Sequence, residues 1–290
     1  MMKINGHTRT CGLIGNPVEH TLSPVIHNTL AELTGENLVY VPLHVSAGQL
    51  EAAVKGAQAL NLLGMNVTVP YKSDVIPSLK EIDPLAAQIG AVNTLVRVEE
   101  GYKGYNTDMP GLYRAMCREG VEIAGEKVLI LGAGGVARAV AMLMAQKGAS
   151  QIILLNRTVE RAQKIADEVN GITGRTVAEG CALEEYHKLD NTQKYLAVQA
   201  TSVGMHPHVD DVVIADAEFY RKIHTGYDLI FNPWETRFMK LVKEQGGRSF
   251  NGSRMLLYQG IIAYELWTGS QISEEHAELA YCKMCEAMGL

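Results

Sequence analysis

Four short segments put polar side chains where apolar strands give way to helices: Thr21-Leu22-Ser23-Pro24, Asn66-Val67-Thr68-Val69-Pro70-Tyr71-Lys72, Gly90-Ala91-Val92-Asn93-Thr94 and Tyr105-Asn106-Thr107-Asp108. Together they offer hydroxyls, an amide, an ammonium and a carboxylate. A hydroxyl pair at a helix N-terminus suits a carboxylate ligand, because free N–H groups and the helix dipole favour an anion there. Lys72 with Asp108 could move a proton or steady a developing alkoxide. Taken singly, each residue has a plainer explanation. Ser23 reads as an N-cap with Pro24 at the first helical position, Asp108 as another N-cap, Lys72 as a solvated lysine and Asn93 as a turn or buried bond. Thr21 has no such explanation. Four segments in one chain point to one polar pocket.

A second constellation binds rather than reacts. Gly132-Ala133-Gly134-Gly135-Val136-Ala137 lies between apolar β-formers, Lys127 to Leu131, and an alanine-rich helical stretch, Val136 to Gln146. Strand, glycine turn and helix are what a dinucleotide site needs: the backbone approaches a pyrophosphate closely and helix-start N–H groups hold its charge. Ala137 replaces the third glycine, a tolerated variant. The plain alternative is a tight turn with close helix packing and no ligand. The next strand, Gln151 to Leu155, ends in Asn156-Arg157-Thr158, with Arg161 one helical turn later and no carboxylate. An acidic residue there would hold the ribose 2′-hydroxyl of NAD. A guanidinium instead pairs with a 2′-phosphate, and Thr158 can cap the next helix and offer its hydroxyl to the same group. The reading is NADP(H), not NAD(H).

These residues need a frame. The 290 residues, 47% hydrophobic, suffice for two domains with a sizeable core. A formal net charge of −6 argues against a nucleic-acid surface, and no run reaches the length of a membrane span. The start, Met1 to His7, lacks the apolar core of a signal peptide. Five scattered cysteines fit reduced thiols in the cytoplasm. Cys282 and Cys285 have no second pair or nearby histidines, so they read as core packing on a terminal helix, and no metal site is expected. Strands read at Cys11 to Gly15, Leu38 to Val45, Leu62 to Val69 and Ala91 to Val98, with helical patterns at Pro24 to Leu33, Ala47 to Leu60 and about Ser73 to Leu79. This alternation predicts a mostly parallel sheet with ligands at the strand carboxyl ends. A helix begins near Asp108. Strands return at Leu196 to Ala200, Gly226 to Phe231 and Arg248 to Phe250, and helices at about Ser253 to Thr268 and Ser273 to Met288. Two α/β domains separated by a cleft are expected: residues 1–107 with 252–290 for the substrate, and a Rossmann-type domain, 108–251, for NADP. Hinges are expected near Thr107 and Gly252.

The string Gly15-Asn-Pro-Val-Glu-His-Thr-Leu-Ser-Pro-Val-Ile-His-Asn28 resembles the opening motif of shikimate dehydrogenases. So do Asn66 to Lys72, Gly90 to Thr94, Tyr105 to Asp108, Gly132 to Gly135, Asn156 to Thr158, Ala200 to Met205 and Met255 to Gln259, in order along nearly the whole chain. The resemblance implies NADPH-dependent, reversible reduction of 3-dehydroshikimate to shikimate, a step towards aromatic amino acids. By position it implies that Thr21 and Ser23 hold the substrate carboxylate and that Thr68, Asn93 and Gln259 bind it and its ring hydroxyls. Lys72 and Asp108 match the catalytic pair. Residues 133–136, with Gly132 before them, would face the pyrophosphate. Asn156, Arg157, Thr158 and Arg161 would read the adenosine and 2′-phosphate. Thr201, Val203 and Met205 would lie along the nicotinamide, with Gly252 and Met255 also on the cofactor side.

Three positions depart from the family pattern. Thr21 stands where a serine is usual, Phe231 where many members have tyrosine, and Ser253-Arg254 where a glycine-containing pair is usual. The first two alter the acid pocket, so a quinate or quinate/shikimate dehydrogenase of relaxed specificity is the enzyme alternative. A catalytically silent NADP-binding sensor is the alternative from another class. Monomer and homodimer are both compatible with the sequence.

Overall fold

The computed structural model describes residues 4–290; Met1, Met2 and Lys3, part of the segment read for a signal peptide, lie outside the described residues. The chain forms two compact units, one of residues 1–112 and 256–290 and one of residues 113–255.

The first unit holds β1 (Arg9–Gly15), α1 (Ser23–Thr34), β2 (Leu38–His44), α2 (Leu50–Ala59), β3 (Gly64–Val67), β4 (Glu81–Ile82), α3 (Pro84–Ile89), β5 (Thr94–Val98) and β6 (Gly101–Tyr105). It also takes the first turn of α4 (Asp108–Arg118), most of α9 (Ser253–Thr268) and all of α10 (Glu274–Ala287). The sheet order is β2-β1-β3-β5-β6-β4. Strands β1, β2 and β3 run parallel, as β4 does to β6, while β5 is antiparallel to both β3 and β6. This mixed order has a consequence for chemistry. The carboxyl ends of β1, β3 and β6 and the amino end of β5 share one sheet edge. The four polar segments are the chain leaving β1, β3 and β6 and entering β5. Apolar residues of the strands, with Leu50 and Val54 of α2, give a core of Ile14, Leu50, Val54, Met65, Val67, Leu95 and Tyr102 beneath that edge.

Here the structure corrects the sequence reading in three places. The helix expected at Ser73 to Leu79 is one short 3₁₀ turn, Ile76–Ser78, because Pro70 and Pro77 bracket a run too short for an α-helix. Strand β6 was hidden by Gly101 and Gly104; a Cβ on Gly104 would meet Leu79 Cδ1 at 2.5 Å, so packing demands the glycine that masks the strand. Cys282 is exposed on α10, whose inner face is Ala277, Ala280 and Met284, so it is not core packing.

The second unit holds β7 (Lys127–Leu131), α5 (Gly135–Gln146), β8 (Gln151–Asn156), α6 (Val159–Thr173), β9 (Ala178–Ala182), β10 (Tyr195–Gln199), α7 (Ala217–Tyr220), β11 (Ile223–Asp228), α8 (Arg237–Glu244) and β12 (Arg248–Phe250). All its strand pairs are parallel, in the order β9-β8-β7-β10-β11-β12. Counted within the unit this is 3-2-1-4-5-6, the doubly wound Rossmann order, whose topological switch lies between β7 and β10. Strands buried on both faces read as continuous apolar runs, as Val128 to Leu131 and Ile152 to Leu155 do.

Candidate active site and dinucleotide cradle

At the shared edge of the first sheet, Lys72 Nζ donates to Asp108 Oδ2 at 2.6 Å, and Asn93 Nδ2 donates to Asp108 Oδ1 at 2.9 Å. Both oxygens of one carboxylate are therefore held from different elements. Lys72 is anchored by its own carbonyl, which accepts the Val92 amide at 2.8 Å, so the segment after β3 is tied to the one before β5. Asn93 is fixed in turn: its Oδ1 accepts the Thr107 amide at 2.7 Å and its Nδ2 reaches Thr107 Oγ1 at 3.0 Å.

Asp108 is not an N-cap. Asn106 does that work, its Oδ1 accepting from the amides of Asp108 at 3.1 Å and Met109 at 3.3 Å. The carboxylate is left for Lys72, Asn93 and a ligand. The side chains of Lys72 and Asp108 are 31% and 24% exposed. An ion pair that open adds only about 0–1 kcal/mol to folding, so stability does not account for three converging groups.

Gln259 joins the same group. A Cβ on Gly111 would meet the backbone of Gln259 at 2.6 Å, so only glycine lets the first turn of α4 and α9 approach this closely. Gln259 Oε1 then lies 3.5 Å from Asn93 Nδ2, and its Nε2 is held by the Leu256 carbonyl at 2.8 Å.

The hydroxyl pair behaves differently from expectation. Helix α1 begins at Ser23 itself, its N-cap position is Leu22, and no side chain caps it. Ser23 is thus not the N-cap; Thr21 Oγ1 accepts the Ser23 amide and donates to Ser23 Oγ, each at 3.2 Å. Thr21 takes the Ser23 amide, and the Val25 and Ile26 amides donate to the Leu22 carbonyl at 3.1 and 3.3 Å, so an anion at this end would meet the two hydroxyls and the helix dipole. Thr68, half-buried, packs against Gly15, where a Cβ would meet Thr68 Cγ2 at 2.3 Å. Sequence reasoning missed the buried link behind these groups. Tyr40, beside Ser23, donates to Asn66 Oδ1 at 2.8 Å, and Asn66 Nδ2 donates to Thr94 Oγ1 at 3.0 Å. Thr94 and Thr107 hydroxyls meet at 3.1 Å, closing the path to Asn93. The signal was present but faint: Asn66 sits on a strand of otherwise apolar residues.

In the second unit, Gly132 leaves β7 at φ 108°, a conformation that favours glycine, and a Cβ there would meet Thr201 Cγ2 at 2.7 Å. The turn and the segment after β10 therefore pack together at the switch point. Gly134 and Gly135 are different. Neither has a positive φ, and a Cβ on either would meet nothing within 4 Å. Neither backbone strain nor packing calls for glycine there, and the space beside the first turn of α5 is open. That helix has no side-chain cap and no acidic residue in its first turn, and Ala137 behind it is fully buried. The residues fit a pyrophosphate. Ala133 lies within the same turn, and Val136 is 50% exposed beside it.

Beyond β8, Arg157, Thr158 and Arg161 are exposed, and neither arginine makes an ion pair among the described residues. Thr158 occupies the N-cap position of α6 but its side chain makes no cap bond, contrary to expectation, so its hydroxyl is unspent; Asn156 Nδ2 instead donates to the Thr158 carbonyl at 2.9 Å. Met205 is 45% exposed, and Met255 is half-buried. Gly252 has a packing cause of its own, since a Cβ would meet the Leu229 carbonyl oxygen at 2.2 Å. Arg254, the unusual residue beside it, lies 3.9 Å from Glu119, whose carboxyl burial pushes up to about 7.

Residues 13–95 match the family described as shikimate dehydrogenase substrate binding domain, residues 115–201 shikimate / quinate 5-dehydrogenase, and residues 252–278 the shikimate 5′-dehydrogenase C-terminal domain. The shikimate dehydrogenase (NADP(+)) of Carboxydothermus hydrogenoformans is 42% identical over 92% of this chain and 94% of its own length. The chain belongs to the shikimate dehydrogenase family. A shikimate dehydrogenase crystallised with NADP+ superposes with a TM-score of 0.88 at 36% identity, covering 98% of this chain and 97% of that one. The Listeria monocytogenes shikimate 5-dehydrogenase, in complex with shikimate and NAD, gives 0.88 at 32% identity over 96% and 98%. The substrate binding domain match falls within the first unit and the shikimate / quinate 5-dehydrogenase match within the second.

Proposed function

We propose that this protein is a shikimate dehydrogenase, catalysing the reversible NADPH-dependent reduction of 3-dehydroshikimate to shikimate, with Lys72 and Asp108 at the reacting oxygen. The observation that carries the assignment of roles is the Lys72–Asp108 contact at 2.6 Å with Asn93 on the other carboxylate oxygen. Full-length similarity to enzymes of that name supports the reaction itself.

Glycines 132, 134 and 135 with the α5 N-terminus would hold the pyrophosphate, and Arg157, Thr158 and Arg161 the 2′-phosphate; the bound dinucleotide supplies or accepts the hydride. Everything else falls to this chain. Thr21 and Ser23 fix the acid end of the substrate at the α1 N-terminus, and Thr68, Asn93 and Gln259 orient the ring hydroxyls. In the reducing direction Lys72 gives its proton to the carbonyl oxygen as negative charge develops there. Asp108 keeps the ammonium aimed and accepts a bond from the same hydroxyl. In the oxidising direction the proton returns to Lys72. The five cysteines form no disulfide among the described residues, which suits a reducing compartment, and we place the enzyme in the cytoplasm.

Initial rates on shikimate and on quinate, each with NADP+ and NAD+, test the reaction, and Lys72→Ala tests the assignment. General acid–base help is worth about 10²–10⁴-fold, so kcat should fall by at least about a hundredfold while KM for shikimate changes much less. A near-normal kcat would remove Lys72 from the chemistry.

A further inference from the structure

The carboxyl end of β10 carries a polar device that the reaction as described does not use. Gln199 is 1% exposed and its register partner on β11, Asp228, is 0% exposed. An amide and a carboxylate are costly to bury unless their hydrogen bonds are made. Here they are made, and those of Gln199 run almost entirely to one short loop.

Gln199 Oε1 accepts from the Thr201 amide at 2.6 Å and from the Thr201 hydroxyl at 2.7 Å. Its Nε2 donates to the Val203 carbonyl at 3.1 Å and lies 3.4 Å from that of Thr201. Thr201 Oγ1 also accepts the Val203 amide at 3.1 Å. The chain from 201 to 203 is thus wrapped around a single side chain. The amide could do this in only one orientation, and Asp228 sets it. Asp228 Oδ2 accepts from Thr236, the cap of α8, at 2.6 Å, and Oδ1 accepts from the Ile230 amide at 3.0 Å and faces Gln199 Nε2 at 3.5 Å. An acceptor-only group there turns the NH₂ of Gln199 towards itself and the carbonyl towards Thr201. Burial pushes the Asp228 carboxyl up to about 6, and above that pH it is ionised and holds this sense.

The loop so held is not remote. The Thr201 methyl lies 2.7 Å from where a Cβ on Gly132 would stand, so the loop walls the switch point against the first glycine of the dinucleotide turn. We propose that Gln199, oriented by Asp228, is a positioning residue that sets the Thr201–Met205 loop beside the nicotinamide and so controls hydride transfer without touching the cofactor. This rests on the reading above that the loop lies on the nicotinamide side.

The test separates the two halves of the dinucleotide. In Gln199→Leu, adenosine 2′,5′-bisphosphate, which reaches only the adenosine end, should bind with an affinity within about twofold of the parent, while kcat falls at least about tenfold through loss of alignment. Gln199→Asn keeps the amide but withdraws it by one methylene; it should show the same split at smaller size and carries the test if the leucine variant does not fold. Unchanged kcat in both variants would overturn the proposal, as would a loss of bisphosphate binding as large as the loss of kcat, which would mark a general disturbance of the unit. Met205→Ala distinguishes failure of the proposal from failure of its premise. If Met205→Ala impairs turnover with NADPH and the Gln199 variants do not, the loop is in place and Gln199 is not its keeper. If Met205→Ala has no effect either, the loop does not wall the nicotinamide.

Discussion

Gly134→Ala isolates the cofactor role of the glycine turn from its structural role. Gly134 is the N-cap of α5 with φ −89° and ψ −177°, extended backbone open to any residue, and an added Cβ meets nothing within 4 Å. Folding should therefore feel only the poorer N-cap preference of alanine, a few tenths to about 1 kcal/mol, which moves Tm by a few degrees at most in a chain of this size. Binding should respond very differently. The new methyl stands about 1.5 Å out from the Cα, in the space where a pyrophosphate would approach the helix-start N–H groups, and so lifts it out of hydrogen-bond range. Two charge-assisted bonds at roughly 1.5–3 kcal/mol each amount to about 3–6 kcal/mol, or about 10²–10⁴ in Kd. Titration of NADPH fluorescence beside a thermal melt reads both quantities on one sample. Gly252→Ala serves as the opposite case, because its Cβ would collide with the Leu229 carbonyl oxygen at 2.2 Å and stability should suffer first. NADPH affinity in Gly134→Ala within about threefold of the parent, at unchanged Tm, would refute the argument that the open space belongs to a phosphate.

Two further outcomes follow from side chains on either unit. Arg157→Ala removes an exposed guanidinium that makes no ion pair among the described residues, so nothing inside the protein is disturbed. The loss is that of a charged hydrogen bond, about 1.5–3 kcal/mol, and kcat/KM for NADPH should fall about 10–150-fold with that for NADH almost unaltered; equal losses for both would show that Arg157 does not read the 2′-phosphate. His27 on α1 is fully buried, stacked on Tyr40 at 4.2 Å, and neither ring nitrogen makes a hydrogen bond of normal geometry. Burial drives its pKa down from 6.5 to about 3, with the Asn66 amide only partly opposing. The unfolded chain takes up a proton near pH 6.5 that the folded chain refuses, so stability is full above 6.5 and drains as pH falls towards 3. Asp228 and Glu119, pushed up by burial, act in the opposite sense, so the quantity to measure is the difference between parent and His27→Phe. Between pH 7.5 and 4.5 the parent should lose about 3 kcal/mol more than the variant in urea unfolding, whatever constant offset the larger ring introduces. Parallel pH profiles would show that His27 titrates as freely folded as unfolded.

What the sequence made legible, and what it hid, divides along a physical line. In the second unit β7, β8 and β10 were readable as apolar runs, one of them followed by a glycine turn, since a strand buried on both faces has no other pattern to show, whereas β9, with Glu179 and Gly180 in it, was not. Lys72, Asn93 and Asp108 were readable because they stand at element ends, where a polar residue needs a reason. Gln199, Asp228, Tyr40 and Asn66 were not, because a polar residue inside a strand looks alike whether it faces water or a neighbouring amide; only the register that pairs Gln199 with Asp228 tells which. Caps were misassigned for a related reason. Ser23 and Asp108 carried the right residue type, yet α1 has no side-chain cap and Asn106, two positions before Asp108, takes the first amides of α4, a shift below what local pattern resolves. Glycine shows the limit most clearly. Gly104, Gly111 and Gly252 answer to close packing, Gly132 to its backbone angle as well, and Gly134 and Gly135 to neither. One letter thus stands for three causes, and only the last of them, space that no part of the protein fills, points outward to a ligand.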